Sequence, residues 1–324
     1  MIGAGAVSKR FFAAAAALGC AACVPMAGPP ETPRPAGDIV IEGSRVFPES
    51  VTSDAAGNLY NASTAGTVYR TLAGTTRALP WIVPSGQNGL KSLFGVYADD
   101  ARGLLWVCNN PNLFARETGQ SSLRAFDLAS GELSAAYAFP EDGPAACNDI
   151  AVASDGTVWA SETSGGRIFV LRPNANELAL FARSEDLVGI DGIALAGDGT
   201  IYINNVRQNL FQRVERKADE SFAALTTLAT SSPLNGPDGL RAMGGNRFIQ
   251  AEGPGGRVAL VDVAGDSATL TDVATGLDGS VGVTVSGRTA YVVEGKIQYL
   301  FDPALKDRDP DPFVIRAFPL PEGK

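Results

Sequence analysis

Asp191-Gly192-Ile193-Ala194-Leu195-Ala196-Gly197-Asp198-Gly199-Thr200-Ile201-Tyr202 opens on a carboxylate, runs through a short apolar segment, turns at Asp198-Gly199 and starts a second apolar segment. Apolar residues alternating on both sides of an Asp-Gly are the pattern of a β-hairpin. Asn148 to Trp159 repeats the stretch at the same length, and Glu49 to Tyr60 and Asp238 to Ile249 repeat it again. Looser copies begin at Phe94 and Val281, one with an extra turn residue and one with a residue fewer.

The six starts are separated by 45, 54, 43, 47 and 43 residues, the period of a solenoid, a propeller or an array. Helical spacing of apolar residues is hard to find after residue 37, whereas further strand-like runs such as Arg167-Ile168-Phe169-Val170-Leu171 follow each hairpin. A hairpin plus two strands makes a four-stranded blade, and radial closure of blades protects their edges. The sequence therefore predicts an all-β fold, a six-bladed β-propeller spanning residues 38–320. Apolar segments at Asp38 to Phe47 and Phe313 to Phe318 lie outside complete repeats, so N- and C-terminal strands are expected to close the last blade.

Residues 1–23 read as an export signal: Lys9-Arg10, then an apolar run from Phe11 to Leu18, then small residues. Cys20 fits the lipidated cysteine of a bacterial lipoprotein, with Ala17 where leucine is usual, and ordinary cleavage further on is the alternative. Pro-rich residues 24–37 read as a disordered tether. An exported protein, periplasmic or anchored in a membrane only through Cys20, is the expectation. In that compartment Cys108 and Cys147 are free to pair, and two separate buried thiols remain the other reading.

The net charge of −9 and the lack of a basic cluster argue against nucleic acid and anionic membrane as partners; a small-molecule substrate is the expectation, with a bound ligand or protein as the alternative. The 324-residue chain contains no histidine, which excludes Ser-His-Asp, Cys-His and zinc-protease chemistry. Carboxylate and metal chemistry remain. In a propeller the first strand of each blade is innermost, so Glu49, Phe94, Asn148, Asp191, Asp238 and Val281 are expected to surround the axis at one face. The ends of the second strands add Asn109, Glu162, Asn205 and Glu252. Carboxylates converging on an axis repel, and burying them is costly unless a cation is present. Their oxygen-only character points to a divalent metal: Ca²⁺ first, then Mg²⁺, Mn²⁺ or Zn²⁺. An Asp or Asn beside Gly also serves as a turn residue that bonds its own backbone, and Asp155 and Asp198 read that way. Trp106, Trp159, Tyr60, Tyr202 and Tyr291 read as packing between blades.

Pro48-Glu49, Asn148-Asp149 and Pro237-Asp238-Gly239 resemble signature positions of the SMP-30/gluconolactonase/LRE-like family, propellers with a central divalent metal. The resemblance covers about residues 40 to 320 and rests on short motifs in a shared order. It implies Glu49, Asn148, Asp191 and Asp238 as metal ligands. Asp191 departs from the asparagine common there, and Ala146 stands where the sugar-lactone enzymes often carry an arginine. The implied activity is hydrolysis of a lactone or related ester, with Asp238 as general base, Phe94 and Val281 as an apolar wall, and Asn109, Glu162, Asn205 and Glu252 as substrate contacts. Phosphotriester hydrolysis, a strictosidine-synthase-like or lyase activity, and a non-catalytic binding propeller with a structural Ca²⁺ are the alternatives.

Overall fold

A computed structural model describes residue 1, residues 37–140 and residues 145–321. The leader with Cys20 and all but Gly37 of the expected tether lie outside the described residues, apart from Met1. From Ile39 onward the chain is all-β, with one short 3₁₀ turn and one four-residue helix, Gln298–Phe301.

Each of the six repeats folds as an antiparallel hairpin, beginning with Pro48–Ser53 paired to Leu59–Ser63 and ending with Ser280–Ser286 paired to Thr289–Glu294. Asp155 and Asp198 tighten their hairpin turns by accepting from the amides of Thr157 and Thr200 at 2.8 and 2.9 Å, as turn residues do. Outer strands complete a propeller-like set of mostly four-stranded sheets. The first strands Pro48–Ser53, Ser92–Asp99, Cys147–Val152, Ile190–Leu195, Pro237–Ala242 and Ser280–Ser286 each contact the next, and the sixth contacts the first. Five sheets are continuous by hydrogen bonding. One of these has eight strands, because Ile39–Ile41 pairs antiparallel with Phe313–Pro319 and parallel with Arg77–Ile82.

The core lies between neighbouring sheets. Ile168, Ile190, Ile193 and Ile203 share one layer, and Tyr202, Phe211, Leu240 and Phe248 the next. Each such buried side chain contributes about 1.5–3 kcal/mol. Tyr202 meets Phe248 of the following sheet at 4.9 Å between ring centroids, so this repeated aromatic position does pack between sheets. Cys108 and Cys147 are joined as a disulfide between two consecutive sheets, with a Cα–Cα distance of 5.3 Å.

The inner strands share a detail that positions the site. In all six, the pairing register shifts at the start of the repeat, across Glu49, Phe94-Gly95, Asn148-Asp149, Asp191-Gly192, Asp238-Gly239 and Val281. A bulge there re-aims the side chain away from the ordinary in-and-out alternation. The residue that follows packs against the next inner strand: a Cβ on Gly192 would meet the Asp238 carbonyl at 2.5 Å, and one on Gly95 the Asn148 carbonyl at 2.2 Å. Only glycine lets the backbones come so close.

Candidate functional site

Glu49, Phe94, Asn148, Asp191, Asp238 and Val281, one from each repeat, line a single cavity of about 600 Å³. The bulges thus bring together four oxygen-bearing residues from distant parts of the chain. The Asn148 amide donates to Asp191 Oδ2 at 3.0 Å and to Thr163 Oγ1 at 2.8 Å, which spends its N–H groups on protein. Asp191 and Asp238 share a hydrogen bond.

Asn204 and Ser161, which stand opposite the bulges on the second strands, hold the backbone of this cluster. Asn204 accepts from Gly192 N at 2.7 Å and donates to the Asp238 carbonyl at 2.6 Å, tying two adjacent repeats together. Ser161 donates to the Asp191 carbonyl at 2.5 Å and accepts from Asp149 N at 2.9 Å. Both are fully buried, so each bond also satisfies a group that would otherwise be costly to bury.

The cluster is electrostatically stressed. Burial, then the nearby Asp149 charge, pushes Asp191 up to about 7, against the opposing effect of bonds from Asp238 and Asn148. Burial first, then Asp191 and Asp149, holds Glu49 well above the usual carboxylate range, with Arg241 pulling the other way. Burial followed by Asp191 and Glu49 does the same to Asp238. Among the described residues, no Lys or Arg lines the cavity.

Arg241 lies beneath, and sequence reasoning missed it. It is 8 % exposed and binds Asp149 with N–O distances of 2.7 and 2.9 Å, Ser50 Oγ at 3.1 Å and the Val96 carbonyl at 3.1 Å, so it bridges inner strands of four repeats. The available signal was positional. Three residues after each repeat start stand Thr52, Tyr97, Ala151, Ala194, Arg241 and Thr284, and one arginine in that set is out of place on an inward face. All six line a second, smaller cavity of about 270 Å³.

The proposed substrate contacts at the second-strand ends require correction. Asn109, Glu162, Asn205 and Glu252 do not line the carboxylate cavity. Glu162 is fully buried, pairs with Arg167 at 2.7 Å and accepts from the amides of Ala146, Ser164 and Gly165. Glu252 pairs with Arg257 at 2.5 Å and accepts from Asn235 N. Asn205 accepts from Arg207 N and Gln208 N, and Asn109 from Lys91 N. The second strand is one place removed from the axis, and its last side chain is consumed by the orphan amides of the adjoining turns.

The donor chemistry fits a hard divalent cation: three carboxylates and an amide oxygen, with no nitrogen or sulfur ligand and no protein cation to neutralise them. Among the described residues, however, no three Asp, Glu, His or Cys side chains are gathered tightly enough to enclose a metal ion. The carboxylates share a cavity and a field rather than a finished coordination sphere.

Comparison with known proteins places the architecture. No family model matches the chain, and no curated protein sequence matches it. Solved structures do. A luciferin-regenerating enzyme superposes with a TM-score of 0.62 at 15% identity, covering 89% of this chain and 98% of that one. A gluconolactonase from Xanthomonas campestris gives 0.61 at 17% identity over 86% and 87%. Virginiamycin B lyase from Staphylococcus aureus, in a catalytically inactive variant with quinupristin, gives 0.58 at 14% over 86% and 82%. The chain has the fold of these enzymes. The first two are members of the SMP-30/gluconolactonase/LRE-like group that the sequence resembles.

Proposed function

We propose that the chain is a six-bladed propeller of the SMP-30/gluconolactonase/LRE-like type that hydrolyses a lactone or related ester with the help of a divalent metal. Six inner strands in a closed ring support the blade count. The eight-stranded sheet is then two blades joined at the two-residue parallel seam of Val40-Ile41 with Arg77-Ala78. The observation that carries the functional reading is the convergence of Glu49, Asn148, Asp191 and Asp238 on one cavity with no protein cation lining it.

Those four residues would hold the metal, Ca²⁺ being favoured by the all-oxygen set. When bound, it supplies the positive charge that keeps the carboxylates ionised and polarises a carbonyl oxygen. Asp238 accepts the proton of the attacking water at its carboxylate. Asp191, fixed by the Asn148 amide, stands beside Asp238 as a second anionic ligand, and its charge raises the basicity of Asp238. Phe94 and Val281 exclude bulk water from the reacting end. A lyase reading has less support. The structurally similar virginiamycin B lyase is catalytically inactive in a variant that replaces a histidine with alanine, and this chain has no histidine. The loose spacing of the carboxylates favours a second reading, a binding propeller in which Ca²⁺ only relieves repulsion.

Export, with or without lipid at Cys20, belongs to the same proposal, and the Cys108–Cys147 disulfide supports it because such bonds persist in oxidising compartments. The test is metal analysis of the purified protein together with a lactone and aryl-ester panel with and without EDTA. Turnover that EDTA abolishes, and that falls at least about 100-fold in Asp238→Asn, is the expected result for a general base. Metal content without turnover on any substrate would instead select the binding propeller.

A further inference from the structure

The second-to-third-strand turns of four repeats are short, at residues 64–67, 163–166, 206–209 and 253–256. The other two are insertions, at residues 111–121 and 295–312. Both insertions contribute to the mouth of the carboxylate cavity, and both contribute apolar side chains: Phe114 from the first, Ile297 and Phe301 from the second. Phe114 lies 6.1 Å from the Phe94 ring, so the wall of the inner site continues outward into the insertion. Phe114 and Leu300 also border one smaller cavity of about 320 Å³ over Thr64 and Ala65, which puts the two insertions side by side at the rim.

Phe301 is 65 % exposed, the only aromatic among the exposed large hydrophobic side chains of the described residues. Its helix turns it toward the cavity rather than into the core. Among the described residues no Lys or Arg lines the carboxylate cavity; Arg45 borders the smaller cavity beside it, with its guanidinium over the Phe47 ring. The one nearby lysine, Lys296, spends its ammonium on the carbonyls of Pro310 and Pro312. The polar residues of the rim, Gln298 and Asp278, bond to each other at 3.0 Å. An anionic ligand would meet the carboxylates of Glu49, Asp191 and Asp238 and, at the rim, Asp278, and a polyhydroxylated one would lose hydrogen bonds to water against Phe and Ile.

We infer that the ligand of this cavity is a neutral lactone or ester bearing an extended aliphatic chain, with the carbonyl end toward Asp238 and the chain along Phe94, Phe114 and Phe301. This rests on the hydrolase reading for the nature of the reacting end, while the apolar rim stands independently of it.

The test is binding of 5-alkyl γ-lactams, which resist hydrolysis, measured by calorimetry in Ca²⁺ on the full chain. From propyl to heptyl, Kd is expected to fall by up to roughly fourfold per methylene, as full burial of each CH₂ dictates. Gluconolactam is expected to bind at least tenfold more weakly than the heptyl lactam. Phe301→Ala should flatten this dependence and Phe301→Leu should retain most of it; because the side chain is exposed, neither change threatens folding. A Kd independent of chain length, no lactam binding, or gluconolactam binding as tightly as the heptyl compound would overturn the inference. The matched lactones separate the two readings. EDTA-sensitive turnover without chain-length dependence removes the apolar ligand and keeps the hydrolase, whereas chain-dependent lactam binding without turnover of any lactone removes the hydrolase and keeps the apolar ligand.

Discussion

Two cavities are lined by the same six inner strands, at positions three residues apart, and treat charge in opposite ways. Arg241, which lines the smaller cavity, pairs with Asp149 and draws in Ser50 and the Val96 carbonyl. At the larger cavity Glu49, Asp191 and Asp238 have one another, an amide and no lining cation. One cavity borders a finished ion pair that fastens strands together. The other is stressed by its own charge and is completed only by something from outside the chain. Ser50 and Asp149 are also the two places where the small residue after the bulge is not glycine, so the side chains that fill those places are the ones Arg241 binds.

The most damaging way to break the comparison is Arg241→Met. It should cost about 3–5 kcal/mol in denaturant unfolding, since it leaves Asp149 buried without its partner, and Asp149→Asn in the same chain should restore much of that. A loss below about 1 kcal/mol would mean that the pair is not what fastens the inner strands.

The stressed cavity should show itself in the metal-free protein. Asp191 binds its proton more tightly folded than unfolded, so the native state carries the extra proton and stability must fall as pH rises. The loss is absent below about 3.8; Asp191 accounts for on the order of 4 kcal/mol of it by about pH 7, and Glu49 and Asp238, both held well above the usual carboxylate range, extend it to higher pH. Melting in EDTA across that window should reveal the fall; Asp191→Asn should reduce it, and saturating Ca²⁺ should remove most of it. A metal-free protein equally stable at both ends of the window would count against the unpaired cluster.

The finest test contrasts two glutamates of the same repeat pattern. Glu49→Gln should weaken Ca²⁺ binding by roughly tenfold or more, as loss of one charged ligand does. Glu252→Gln should leave Ca²⁺ affinity within about twofold, because that carboxylate faces Arg257 and a turn amide. Equal effects by titration calorimetry would erase the distinction between inner-strand and strand-end carboxylates.

Local and repeated features were legible in the sequence. Asp155 and Asp198 advertise their turns through the adjoining glycine, and the recurrence of Glu49, Asn148, Asp191 and Asp238 at one repeat position was enough to place them together. Glu162 and Glu252 misled because a carboxylate at a strand end looks the same whether it faces an axis or a turn. Their arginines five residues on, Arg167 and Arg257, were the overlooked clue. Phe114 and Phe301 could not be read from periodicity at all, since they sit in insertions that belong to no repeat. The disulfide depended on how two neighbouring sheets meet, which spacing alone left open.

The close approach of Gly192 to the Asp238 backbone, and of Gly95 to Asn148, separates frame from function within two consecutive residues. A side chain added at either glycine would wedge neighbouring strands apart. Phe94 and Val281 line the hollow and also pack into the core between sheets, so only exchanges of similar volume would alter the lining without disturbing the frame. New reactivity could therefore be written onto this ring one letter at a time, provided the adjoining glycines are left alone.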